Sequence, residues 1–339
     1  MSRPAQASLG TTPCMTEASG SALDAGGTAV DACIAGLFAA AGQEPAVLLG
    51  SMCLIVAGLG AGSHVFDGCV LQPGFGFRAP IGFSSASDIP PAARVPISSS
   101  VAMIAAAHVH DGHLTMASLA GYGVRVAKDQ HAHARAKLIY NVGEAGVLAL
   151  RGASFVHAMI DTGGRHLGGN VTPNDLAEAR ASLRAPLVSG GFVHPLGVRT
   201  VASDAPSFEC VAIVACDSRG VLAAAHCAFD PYGPEVVPYE VVASRFAIPI
   251  RKRKPHWRPG RPIRVPLPIG LRMPKGQPCV AIAIQDILPV DWRRVDALMA
   301  GGQTLERSTQ LALSGGRSSR NALAIVCEPG AAVSHTWVI

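Results

Sequence analysis

Nucleophilic catalysis needs a hydroxyl or a thiol in reach of a base that can take its proton. One stretch of this chain, Glu209 to Phe229, offers the ingredients. Cys210 stands where an acidic residue gives way to an apolar run, Val211-Ala212-Ile213-Val214-Ala215-Cys216. A polar segment, Asp217-Ser218-Arg219-Gly220, separates it from a second run, Val221 to Phe229, which carries His226 and is followed by Asp230. Two uncharged runs about a Gly-containing turn predict a β-hairpin. Neither run alternates with polar residues, so both faces of the hairpin should be covered. Burial raises the pKa of a thiol and makes it inert. The stretch therefore admits two readings, nucleophile or core strand, with His226 and Asp230 as the nearby polar groups.

Other residue clusters have plainer readings. His108, His110 and His113 offer a His-x-His pattern, but they follow Met103-Ile104-Ala105-Ala106-Ala107, which reads as helix. A polar helix end accounts for them better than a metal site does. His131 and His133, two apart in a helical segment, point to different faces and read as surface residues. The run Arg251-Lys252-Arg253-Lys254-Pro255-His256-Trp257-Arg258 could grip phosphates, with Trp257 stacking on a base. A solvated basic loop is the commoner meaning of such a run, and nucleic acid is not the expected partner. The paired glycines form neither G-x-G-x-x-G after a strand nor a phosphate-binding loop of the Walker type.

The 339 residues suffice for a large core. Charged residues make up 15%, too few for a disordered chain. The net charge of +5 is local: seven basic residues lie between Arg251 and Arg264, and the rest is slightly acidic. Nine cysteines without a C-x-x-C pair predict reduced thiols and a cytoplasmic protein. Met1 to Gly20 lacks the apolar segment of a signal peptide. Pro45 to Phe66 is uncharged, but its Gly, Ser and His content reads as strand and turn rather than a membrane span.

The elements that must position the hairpin follow from periodicity and caps. Thr16 to Ala41 predicts two helices joined at Gly26-Gly27, and Val47 to Leu59 a buried strand pair. Phe75 to Ser100 reads mainly as loop. Val101 to Val126 and Gln130 to Leu150 read as helices. Thr172-Pro173-Asn174-Asp175 is a helix start, with the helix expected to run to about Leu183. Pro231 to Pro278 is irregular, and Cys279 to Ile284 is a short strand. Arg293 to Leu313 is helical except around Gly301-Gly302. Ala322 to Cys327 and Val333 to Ile339 close the chain as a strand pair. Helices first, then strands in the middle and at the end, predict a layered α/β sandwich with mostly antiparallel sheets.

Several of these segments resemble, in order, one known family. Ala25-Gly26-Gly27-Thr28-Ala29-Val30-Asp31-Ala32 resembles the GGNAVDA segment of the γ-glutamyltransferases. Gln43-Glu44-Pro45 matches that family's EP, and Asp67-Gly68 with Pro73 the ends of its DGRETAP. Gly168-Gly169-Asn170-Val171-Thr172-Pro173-Asn174-Asp175-Leu176 resembles its GG-x-hydrophobic-T-x-x-DL, with Pro186 after the helix. Gly302-Gln303-Thr304-Leu305-Glu306-Arg307 resembles a late helix. The resemblance implies a single domain over 1–339 with the four-layer αββα sandwich of the N-terminal-nucleophile hydrolases. It also implies self-cleavage, here into 1–209 and 210–339, because counting back from Asp217 and Gly220 places Cys210 at the family's nucleophilic Thr. No cofactor or metal is called for, and the partner is a small amide or peptide-like substrate.

The chain departs from the family at its substrate contacts. Cys69 stands where the family has an Arg that pairs with the substrate's α-carboxylate. Asp230 stands at an Asn that helps to hold the substrate. Pro268-Ile269 replaces a Ser pair, and Ile284-Gln285-Asp286 replaces the Gly-Gly loop whose amides form an oxyanion hole. Cys69 and Asp230 are thus the expected substrate-binding positions, for a substrate other than glutathione. The alternative is a catalytically inactive γ-glutamyltransferase-like protein kept for binding or interaction.

Overall fold

The computed structural model describes residues 6–58, 62–77, 81–195, 208–251, 258–286, 289–313, 321–328 and 331–338. Two six-stranded sheets form its centre. The first runs, in spatial order, Ala7–Gly10, Glu209–Cys216, Leu222–Phe229, Ser51–Gly58, Gly62–Gly68 and Ser182–Arg184. The second runs Ala331–Val338, Asn321–Glu328, Val280–Ile284, Ile269–Arg272, Phe192–His194 and Leu187–Ser189. Every pairing within both sheets is antiparallel.

Side-chain alternation along the strands sorts the core into layers. From the central hairpin, Ala212, Val214, Cys216, Leu222 and Ala224 meet Ile269, Leu271, Ala281, Ala283, Leu323 and Ile325 of the second sheet. The intervening residues Val211, Ile213, Ala215, Ala223, Ala225 and Cys227 pack beneath the helices Pro13–Asp24 and Ala29–Gln43 and their neighbours. On the far side, Trp292–Ala300 and Leu305–Ala312 cover the second sheet, with Trp292 stacked on Phe192. Helix, sheet, sheet, helix is the αββα order expected from the sequence.

The helix against the hairpin lies close because it is lined with small residues. A Cβ on Gly36 would come within 2.2 Å of Ile213 Cδ1. Gly42 and Gly123 let Ala29–Gln43 and Met116–Asp129 touch backbone to backbone, for a Cβ on Gly42 would fall 2.3 Å from the Gly123 carbonyl oxygen.

The recurring motif residues are structural ties. Thr28 and Asp31 form a capping box, and Asp31 Oδ2 also accepts from the backbone of His113 and Leu114. Thr172 and Asp175 form a second box, from which Asp175 also accepts the N–H groups of Gly74 and Phe75. Asn170 Oδ1 accepts from Ile81 N–H. Each carboxylate thus satisfies a helix start and fixes a distant loop, a use that local spacing alone does not reveal.

Several expected boundaries shift, each for a tertiary reason. Val47 to Gly50 is turn, and the single strand Ser51–Gly58 pairs instead with Gly62–Gly68. The long helix expected from Val101 is two, Ser100–Asp111 and Met116–Asp129, because Asp31 holds the intervening backbone and Thr115 caps anew. After Thr172 the helix stops at Glu178, where Arg151 and Arg180 take the Ala179 carbonyl, and Ser182–Arg184 becomes an edge strand. Ala153–Gly163 is a further helix, and Ile269–Arg272, inside the stretch read as irregular, is a sheet strand. No helix among the described residues is long and apolar enough to cross a membrane.

Candidate active site

Cys210 is the second residue of the strand Glu209–Cys216, paired with Ala228 of the next strand. It shares its strand face with Ala212 and Val214 but packs in a separate apolar cluster at the start of the strand. The register then defines two rows across the first sheet. One is Ala212, His226, Cys53, Asp67 and Ser182. The other lies two residues toward the strand ends and contains Cys210, Ala228 and Ser51, with Cys69 just past the last strand. Cys210 is 2% exposed, enclosed by Val70, Phe208, Phe246, Ile263 and Val265. Glu209, immediately before it, is exposed.

The two polar groups expected near the thiol are committed elsewhere. His226 is fully buried, and its Nε2 donates to the Asp286 carbonyl at 2.9 Å. Its Nδ1 has no partner among the described residues. Burial pushes the imidazole pKa down to about 4, so His226 is neutral at ordinary pH. Asp230 is also fully buried, and Arg245 grips it with Nε at 2.5 Å and Nη2 at 3.2 Å. Tyr232 N–H donates to the same carboxylate at 3.0 Å. Asp230 thereby holds the chain reversal beyond Phe229.

Cys69 is buried three strands from Cys210, about 14 Å by strand spacing. It sits over Asp67, whose Oδ1 accepts its backbone N–H at 3.2 Å. Burial, then the Asp67 charge, push its thiol well above the ordinary range. Two arginines that sequence reading did not single out flank Asp67 Oδ2: Arg184 Nε at 3.5 Å and Arg264 Nη2 at 3.6 Å. They come from an edge strand and a loop far apart in the chain, so spacing gives no signal of them. The loop leaving Val280–Ile284 crosses toward the site and places the Asp286 carbonyl over His226. This is the Ile284-Gln285-Asp286 segment expected near an oxyanion site.

The architecture has solved counterparts. Over its whole length the chain superposes on LmbA2991T421A with a TM-score of 0.72 at 13% identity, covering 100% of this chain and 98% of that one. It superposes on the cephalosporin acylase from Bacillus halodurans with a TM-score of 0.66 at 13% identity, covering 99% and 96%. The fold is that of the N-terminal-nucleophile hydrolases. No protein-family model and no curated protein matches the chain. Cys210 lies on the central hairpin, between the helices and the second sheet. Cys69 lies at the other end of Cys210's row, Asp67 lies in the neighbouring row, and Asp230 lies at the hairpin's exit. Of the basic run, Lys252, Arg253 and Lys254 lie outside the described residues, and Arg251 ends a two-residue strand beside Gly82–Phe83. His108 and His110 end the helix Ser100–Asp111, with His108 Nε2 donating to the Leu114 carbonyl.

Proposed function

We propose that this chain is an amide hydrolase or acyltransferase of the N-terminal-nucleophile type, with Cys210 as nucleophile. The observation that carries the reading is the position of Cys210, at the start of the central strand and on the same strand face as Ala212 and Val214, with an exposed residue just before it. In this reading the Cys210 thiol attacks the Glu209 carbonyl carbon. The peptide C–N bond breaks as the proton passes to nitrogen, leaving a thioester. Water then cleaves the thioester, giving a Glu209 carboxylate and a free Cys210 amine and thiol. That amine has an ordinary pKa of about 7.7–8.0, so near neutrality it can take the thiol proton. The thiolate next adds to the substrate amide, the amine leaves with a proton, and water or a second amine takes the acyl group. The substrate is a small amide or peptide-like molecule, and the working thiol suits a cytoplasmic, reducing setting.

A specific observation favours the second reading, a non-catalytic binding relative. Cys210 is enclosed by apolar side chains, and His226 and Asp230 bond to other groups. A thiol so placed is inert until the chain before it moves away. Intact mass of the purified chain separates the two. The enzyme reading expects fragments of 1–209 and 210–339 in the wild type and none in Cys210→Ala. An uncut wild-type chain that also resists a thiol alkylator at Cys210 overturns it.

A further inference from the structure

The two reactions of the Cys210 thiol share one electrophile position. In the first, the thiol attacks the carbonyl carbon of Glu209. In the second, it attacks the carbonyl carbon of the substrate. Both carbonyls have to meet the same sulfur in the same geometry. In the uncut protein the residues before Cys210 therefore occupy the place that the substrate's acyl part takes later. The pocket that those residues fill is a mould of the acyl site.

Glu209 fills no pocket, for it is exposed and lies on the strand face opposite to Cys210. Phe208, two residues before the thiol, does fill one. It is 7% exposed and belongs to the same apolar cluster as Cys210 and Ala228. Its ring lies against that of Phe246, with centroids 4.8 Å apart and planes tilted by 34°. Val70, Ile263 and Val265 complete the walls. The ties that hold these walls come from segments other than Phe208. Val70 and Ile263 pair as neighbouring strands. The Gln72 side chain exchanges two hydrogen bonds with the Ile248 backbone, at 2.9 and 3.0 Å, and Ala247 N–H donates to the Arg94 carbonyl at 2.8 Å. The pocket thus keeps its shape when Phe208 withdraws with the cut end. An apolar hollow with an aromatic wall then opens beside the thiol, and an aromatic group is what covers such a surface best.

We propose that the acyl part of the substrate carries an aromatic group, which takes the place of the Phe208 ring against Phe246 once the chain has cut itself. The inference rests on the catalytic reading above and names its substrate class, an amide whose acyl side is an aromatic peptide or a peptide-like aromatic group.

The test compares two chromogenic anilides on the purified full chain, with intact mass recorded on the same samples. N-acetyl-phenylalanyl-glutamyl p-nitroanilide reproduces the sequence before Cys210, and N-acetyl-alanyl-glutamyl p-nitroanilide lacks the ring. The first is expected to show a kcat/KM more than about tenfold above the second. Phe246→Ala, which removes the aromatic wall, should cut this preference by at least about threefold, while Phe246→Tyr, which keeps a ring, should retain most of it. Val265→Phe narrows the pocket and should reverse the preference; it is combined with Phe208→Ala so that the uncut chain has room. Partial misfolding lowers both rates together and cannot change their ratio. Equal kcat/KM for the two anilides in the wild type, an unchanged preference in Phe246→Ala, or a cut chain that turns over neither anilide overturns the pocket and leaves self-cleavage standing. A wild-type chain that stays uncut overturns both.

Discussion

The Nε2 of His226 and the carbonyl of Asp286, 2.9 Å apart, join the middle of the first sheet to the loop that leaves the second. Because Nε2 is the donor, the ring is the neutral Nε2–H tautomer and Nδ1 is left as an acceptor without a partner among the described residues. The bond holds the Gln285-Asp286 turn one row from Cys210.

A pH dependence follows from this burial. The folded chain holds His226 near a pKa of about 4, below the ordinary 6.5. Between these values the unfolded chain binds a proton that the folded chain refuses, so stability falls as pH drops through this window. At pH 5 the loss from this group is about 2 kcal/mol, from the linkage of ~1.4 kcal/mol per pKa unit. Urea melts at pH 7 and pH 5 measure it by comparison with His226→Gln, which keeps a donor for Asp286 but cannot titrate. The wild type should lose more than the variant; an equal loss removes the argument.

Replacing the thiol by a hydroxyl tests the self-cleavage chemistry more sharply than deleting it. Cys210→Thr retains a competent nucleophile. Fragment 210–339 should therefore form in this variant, more slowly than in the wild type, and sequencing should find Thr at its start. If Cys210→Thr and Cys210→Ala both stay whole while the wild type cuts, the strand tolerates only the thiol.

Glutathione and γ-glutamyl anilides should be poor substrates. Cys69 gives no charge-assisted clamp at the position where the family has its Arg. The expected kcat/KM lies more than about a hundredfold below 10⁴ M⁻¹ s⁻¹, roughly the lower end for ordinary enzymes. Turnover at ordinary rates that vanishes in Cys210→Ala would show that the missing Arg is not needed.

The Asp230–Arg245 pair should matter for stability whatever the chemistry. Arg245→Met leaves a fully buried carboxylate without its counter-ion. The cost is about 3 kcal/mol, at the low end for breaking a buried pair because Arg245 keeps some exposure. Asp230→Asn, which retains an acceptor for Tyr232 N–H, should cost less. Chemical denaturation of both variants checks the order.

The sequence alone determined the layers and the central hairpin, since apolar runs, Gly turns and Thr caps act over a few residues. The hairpin falls at Glu209–Cys216 and Leu222–Phe229, and the two closing strands fall close to their expected places. The ordered motif segments also carried the fold type. Their residues proved to be ties: Asp175 reads in sequence as part of a simple helix start and Asp31 only as a motif residue, and only the fold shows which loops they hold. Tertiary structure decided the helix ends near Asp111 and Glu178, because hydrogen-bond partners distant in sequence overrode local propensity there. It also decided what surrounds Cys210. Strand register put Ser51 in its row, and convergence of three separate segments put Arg184 and Arg264 beside Asp67. No local pattern encodes such a meeting, because it depends on long-range pairing of strands that lie more than a hundred residues apart.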